Sequence, residues 1–90
     1  MAMDDPRWRA ASLAKATEGM ALMRRYGAHG LGVAWVEVGA ERQPGLVLVA
    51  ASAPAAAPAP VQVELDGRRF AVPVTVQTAP PDEAEAMGVT

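Results

Sequence analysis

Residues 61–78 read VQVELDGRRFAVPVTVQT, and this stretch decides the fold class. Val61, Val63 and Leu65 alternate with Gln62, Glu64 and Asp66. Beyond the turn, Phe70, Val72, Val74 and Val76 alternate with Ala71, Pro73 and Thr75. A period of two puts every other side chain on one face, the pattern of a half-buried strand. Asp66-Gly67 stands between the runs, and both residues tolerate positive φ, which favours a tight hairpin turn. Pro73 has no N–H for a ladder, so the second run is expected along a sheet edge or with a bulge there.

Just before this hairpin lies AASAPAAAPAP (50–60), whose three prolines and many alanines leave little to bury. It reads as an extended connector, or as a crossing from one side of the sheet to the other. Leu46 to Val49, LVLV, is apolar on both faces and suits an interior strand. Residues 31–38, LGVAWVEV, alternate again. Leu31, Val33 and Trp35 share one face, and Gly32, Ala34 and Val36 the other. The polar turn GAERQPG (39–45) joins these two strands into another hairpin.

The chain opens with a helix. Asp5 can cap it, Pro6 fits the first turn, Arg24 and Arg25 oppose the dipole at its end, and Gly27 can close it. Arg9, Leu13, Ala16, Met20 and Met23 recur at helical spacing, so Leu13, Met20 and Met23 are expected to face the sheet. The sequence thus predicts one small α+β domain over residues 1–78. It has one N-terminal helix on a mainly antiparallel sheet of about four strands in two hairpins. The second face of that sheet lacks cover. The tail APPDEAEAMGVT (79–90) is acidic and proline-rich, and is expected to stay flexible.

Composition narrows the function. A chain of 90 residues buries only about 60–65% of its unfolded surface. Twenty of its residues are alanine and none is isoleucine, so the core is thin and invites a partner or a second copy. A net charge of −2 and a pI near 5.2 argue against nucleic acid. The absence of cysteine excludes thiolate zinc sites and points to the cytoplasm. MAMDDPRWRA is not followed by an apolar run, so neither a signal peptide nor a membrane segment is expected.

YGAHGLGVAW (26–35) gathers three glycines around the only histidine. A phosphate loop needs glycines before a helix N-terminus, whereas these follow a helix end, so the corner reads as architecture. His29 has no local nucleophile or carboxylate, and Ser12 and Ser52 sit in no nucleophile elbow. The acids Asp4-Asp5 and Asp82-Glu83 belong to a cap and to the tail rather than to a cleft. Catalysis, cofactor and metal are therefore not expected. The remaining candidate contacts are Trp8, Arg24, Arg25, His29, Arg68 and Arg69. Trp35 alternates with apolar neighbours and is expected in the core, whereas Trp8, between two arginines, is expected at the surface, where tryptophan favours binding. Two arginine pairs, should they meet, would fork onto an anion.

Two longer runs, LMRRYGAHGLGVAWVEVGAERQPGLVLVAAS (22–52) and VELDGRRFAVPVTV (63–76), resemble a small segment at the N-terminus of some bacterial trypsin-like serine peptidases. In those, a helix leads to a Gly-x-Gly-Val strand, a polar turn, an apolar strand and an ELDG hairpin. The resemblance implies a stand-alone accessory module and carries over no catalytic residue. The expectation is a non-enzymatic interaction or assembly module, homo-oligomeric or bound to another protein through a sheet face or edge. The alternative is a small-ligand or anion site built on Arg24, Arg25 and His29.

Overall fold

The computed structural model describes residues 5–79. Helix α1 (Pro6–Tyr26) starts where Asp5 accepts the Arg7 N–H at 2.8 Å, and ends where left-handed Gly27 donates its N–H to the Met23 carbonyl. Five strands follow: β1 (Ala28–Val38), β2 (Glu41–Ala50), β3 (Val61–Leu65), β4 (Arg68–Val72) and β5 (Val74–Thr78). They form a three-stranded sheet of order β1-β2-β5 and a separate β3-β4 hairpin. The α+β reading holds, with one strand more than the four expected and two sheets in place of one.

The extra strand arises at Pro73. A strand running unbroken through residues 70–76 is not what forms. Lacking an N–H, Pro73 ends the ladder that joins β3 to β4. The chain passes to the other sheet, and the Pro73 carbonyl accepts the Leu46 N–H at 2.8 Å. There β5 runs parallel to β2, with Leu46 beside Val74 and Leu48 beside Val76. Parallel neighbours need a long crossover. The alanine/proline segment and the β3-β4 hairpin together supply it.

The first hairpin is tighter than expected. Only Gly39 and Ala40 make its turn, and Glu41 to Gly45 already belong to β2, where Pro44 is buried. The Asp66-Gly67 turn forms as read, with φ of 53° and 79°.

The helix face on the sheets is wider than its bulky residues suggest: Leu13 and Met23 pack against the core as expected, but Met20 does not. Ala10, Ala11 and Ala14 are fully buried and Leu22 nearly so, while Met20 is 68% exposed. The reason is close quarters. One core holds these alanines together with Leu46 and Leu48 of one sheet and Val63 and Val72 of the other. Between two sheets, only small side chains fit beneath the helix backbone. At Gly19 even a Cβ would lie 2.8 Å from Leu31 Cδ2.

Register fixes what each face of the larger sheet carries. Leu31, Val33 and Trp35 lie opposite Leu48, Leu46 and Pro44, and all share the helix side with Val74 and Val76. The other side carries Gly30, Gly32, Ala34 and Val36 with Val49, Val47, Gly45 and Gln43, then Thr75 and Gln77.

Candidate functional site

Each residue expected to make contacts has a definite place, and they do not converge. Trp8, in the first turns of α1, meets Trp35 of β1 with ring centroids 5.7 Å apart and planes tilted by 48°. Trp35, expected in the core, remains 40% exposed, and Trp8, expected at the surface, is half-buried against it. The pair therefore forms a step at the edge of the β1-β2-β5 sheet rather than one buried and one free indole. No spacing rule links positions 8 and 35, so the pairing has no local sequence signal.

The arginine pairs stay apart. Arg9 bonds Asp66 at 3.3 Å, which fixes the tip of the β3-β4 hairpin beside the start of α1. Arg25 lies sixteen residues further along that helix, about 24 Å along its axis at 1.5 Å per residue. Each pair also has its own ring. The Arg25 guanidinium lies 5.9 Å from the Tyr26 centroid, and that of Arg68 lies 5.1 Å from Phe70. Arg24 and Arg69 are exposed, the latter opposite Glu64 across the ladder.

His29 sits where the β1–β2 register slips between Ala28 and Gly30. Its Nε2–H donates to the Ala79 carbonyl at 2.9 Å, while the Ala79 N–H donates to Ala50 at the same distance. The imidazole thus pins the end of β5 across the sheet. Beyond Ala79, the residues of the acidic tail lie outside those described.

Hollows also lie on the described surface. One, of about 810 Å³, lies between the last turns of α1 and the 52–62 segment, with Glu18, Arg25, Tyr26, Ser52 and Gln62 as its polar lining. A second, of about 430 Å³, is walled by Val36, Val38, Pro58, Pro60 and Pro73. A third, about 520 Å³, runs past Trp35, Arg42, Val47 and Gln77. Among the described residues no three His, Asp or Glu side chains gather to hold a metal ion, and no helix is long and apolar enough to cross a membrane.

The last site is a surface. On the sheet side away from α1, Gly32, Ala34, Val47 and Val49 are only half-buried, and a Cβ on Gly32 would meet nothing within 4 Å. Val36 and Gly45, beside Pro73, are the buried residues of this face among those described. Sequence alternation had marked this face as uncovered. It does not show that the edge of β1, unpaired among the described residues, borders it.

Comparison of the sequence with protein-family models finds no match, and neither curated proteins nor solved structures give one.

Proposed function

We propose that this protein is a non-enzymatic interaction module that binds another protein chain through the uncovered side and free edge of the β1-β2-β5 sheet. The observation that carries this reading is the strip of small and β-branched residues Gly30, Gly32, Ala34, Val47 and Val49 on the side away from α1. It lies half-exposed beside a strand with one neighbour. Such a strip gains from burial, and an open strand edge offers unpaired backbone donors and acceptors in a row. The likeness to the segment ahead of trypsin-like peptidases supports the same reading, since it implies an accessory module.

The test is binding followed by mapping. Protein captured by the tagged chain would be purified, recombined with it and subjected to hydrogen exchange, alongside light scattering of the chain alone. Added protection along β1 and at Val47 and Val49, from a partner or a second copy, is the expected result. A chain that stays monomeric and binds nothing, or binds through another surface, overturns the reading.

A second reading rests on the 810 Å³ cleft, where Arg25 and Tyr26 face residues 52–60, whose backbone makes no hydrogen bond to another backbone group among the described residues. A small anionic ligand there would raise the melting temperature, and Arg25→Ala would abolish the rise. His29 takes no part in this version, because its ring is bonded to Ala79.

A further inference from the structure

We infer that the partner of this surface is a second copy of the chain, joined β1 to β1 in antiparallel fashion about a two-fold axis centred on Val33. The inference rests on the interaction reading above and adds to it an occupant, an edge and a register. The product would be one six-stranded sheet of order β5-β2-β1-β1-β2-β5.

Comparison of the strand edges singles out β1. The strands β3, β4 and β5 are five residues each. Pro60 precedes β3, Arg68 and Arg69 stand on β4, and Pro73 lies between β4 and β5. Short edges, prolines and cations are the features that discourage strand addition. β1 is eleven residues long and holds neither proline nor lysine nor arginine, and Leu31 to Val36 are uncharged. Its one irregularity, the slip at Ala28/Gly30, lies at its beginning.

The turn decides which backbone groups are free. Gly39 has φ 63° and Ala40 has no positive φ, and these two residues make the whole turn between Val38 and Glu41. In such a turn the flanking pair is hydrogen bonded, and bonded and non-bonded pairs then alternate along the ladder. Even-numbered residues of β1 from Gly30 to Val38 therefore bond to β2. Leu31, Val33, Trp35 and Glu37 point their N–H and C=O groups away from it. Among the described residues no other backbone group bonds to them.

A two-fold pairing must set these odd-numbered residues against one another. Centring on Val33 overlaps the whole of Ala28–Val38 and places Leu31 against the partner's Trp35, on the helix side. The half-exposed indole then gains an aliphatic cover. On the opposite side Gly32 meets the partner's Ala34, a small pair that lets the strands approach. The two Glu37 carboxylates end eight residues apart, about 27 Å at 3.4 Å per residue, so they do not repel. A centre one residue later would set Glu37 against the partner's Leu31, a worse match. The paired edge is about 36 Å long, and the contact would bury on the order of 1,000 Å², the lower limit for a specific interface. Association in the micromolar range is the expected consequence.

The chain lacks cysteine, so a single label can be placed cleanly. The experiment takes the full chain through sedimentation velocity from low micromolar to near-millimolar concentration. Hydrogen exchange is read at both ends of that range, and Glu37→Cys carries a nitroxide for pulsed distance measurement. The expected results are a monomer–dimer equilibrium, protection at Leu31, Val33, Trp35 and Glu37 only at high concentration, and a backbone separation near 27 Å at the label. A dimer lacking that protection, or with a different label distance, overturns the pairing. A monomer that binds another protein through this sheet overturns the second copy and keeps the interaction reading. A monomer that binds nothing overturns both.

Discussion

Gly45→Ala is the most exacting test of this packing. An added Cβ would lie 2.6 Å from the Pro73 carbonyl oxygen, 2.7 Å from Val36 Cγ2 and 2.9 Å from Pro73 Cγ. The first contact is with backbone and cannot be relieved by a rotamer change. Ordinary C···O separation is about 3.3–3.6 Å, so the carbonyl must retreat by roughly 0.7 Å or more. That carbonyl accepts the buried Leu46 N–H at 2.8 Å, and the retreat stretches the bond past useful length. Overpacking costs about 1–3 kcal/mol, an orphaned buried N–H about 1–3, and alanine returns about 0.5–1 in a strand. The net loss is about 1–5 kcal/mol, a large share of the stability of a small domain. Urea denaturation followed by far-ultraviolet circular dichroism and tryptophan emission measures it. With an m-value of about 1 kcal/mol/M, the midpoint should fall by about 1 M or more. Gly32→Ala is the control, since its Cβ enters open space, and its midpoint should hold or rise slightly. If Gly45→Ala matches that control within about 0.5 kcal/mol, the contact between β2 and the Pro73 crossing is not as described.

Three further outcomes are expected. Leu22→Ala should cost about 2–4 kcal/mol in the same urea assay and Met20→Ala under about 0.5, the reverse of what the helical spacing of Met20 suggests. His29→Ala should leave the fold intact, cost about 0.5–1.5 kcal/mol and speed amide exchange at Ala79; unchanged exchange there would dismiss the pin. The Arg7 side chain and backbone N–H hold the Asp5 carboxyl below its ordinary value of 3.8, so its contribution is complete above that pH and disappears as acid protonates it through the lowered value. Asp5→Asn keeps a cap but no charge. Its melting temperature should trail the parent at pH 7 and converge with it in strong acid.

What was legible in the sequence was local. Asp5, Gly27 and the Asp66-Gly67 turn act through neighbours within four residues, and all three behave as their chemistry requires. The alternation in 61–72 is likewise a short-range property. The helix face was legible in part: Leu13 and Met23 pack on the core as their spacing implies, but the two flanking sheets also draw in Ala10, Ala11 and Ala14 and leave Met20 outside. The parallel pairing of β5 was not legible, since it depends on where Pro73 delivers the chain. The Trp8–Trp35 pair and the His29–Ala79 bond join residues 27 and 50 positions apart. Of the candidate site, alternation exposed the bare face, but only the sheet order shows that its border is an open edge.

The return of β5 to β2 also changes what the alanine/proline segment is for. Residues 5–50 and 61–79 are held together by the Leu46–Ala50 ladder with Val74–Thr78, by the shared core around α1 and by the His29–Ala79 bond. None of these bonds passes through residues 51–60. The segment acts as a tether that sets effective concentration rather than as a structural member. A protease cutting there would leave two pieces that stay associated, and the same two pieces made separately should reassemble into the fold. The domain is, in this sense, already divided into complementary halves.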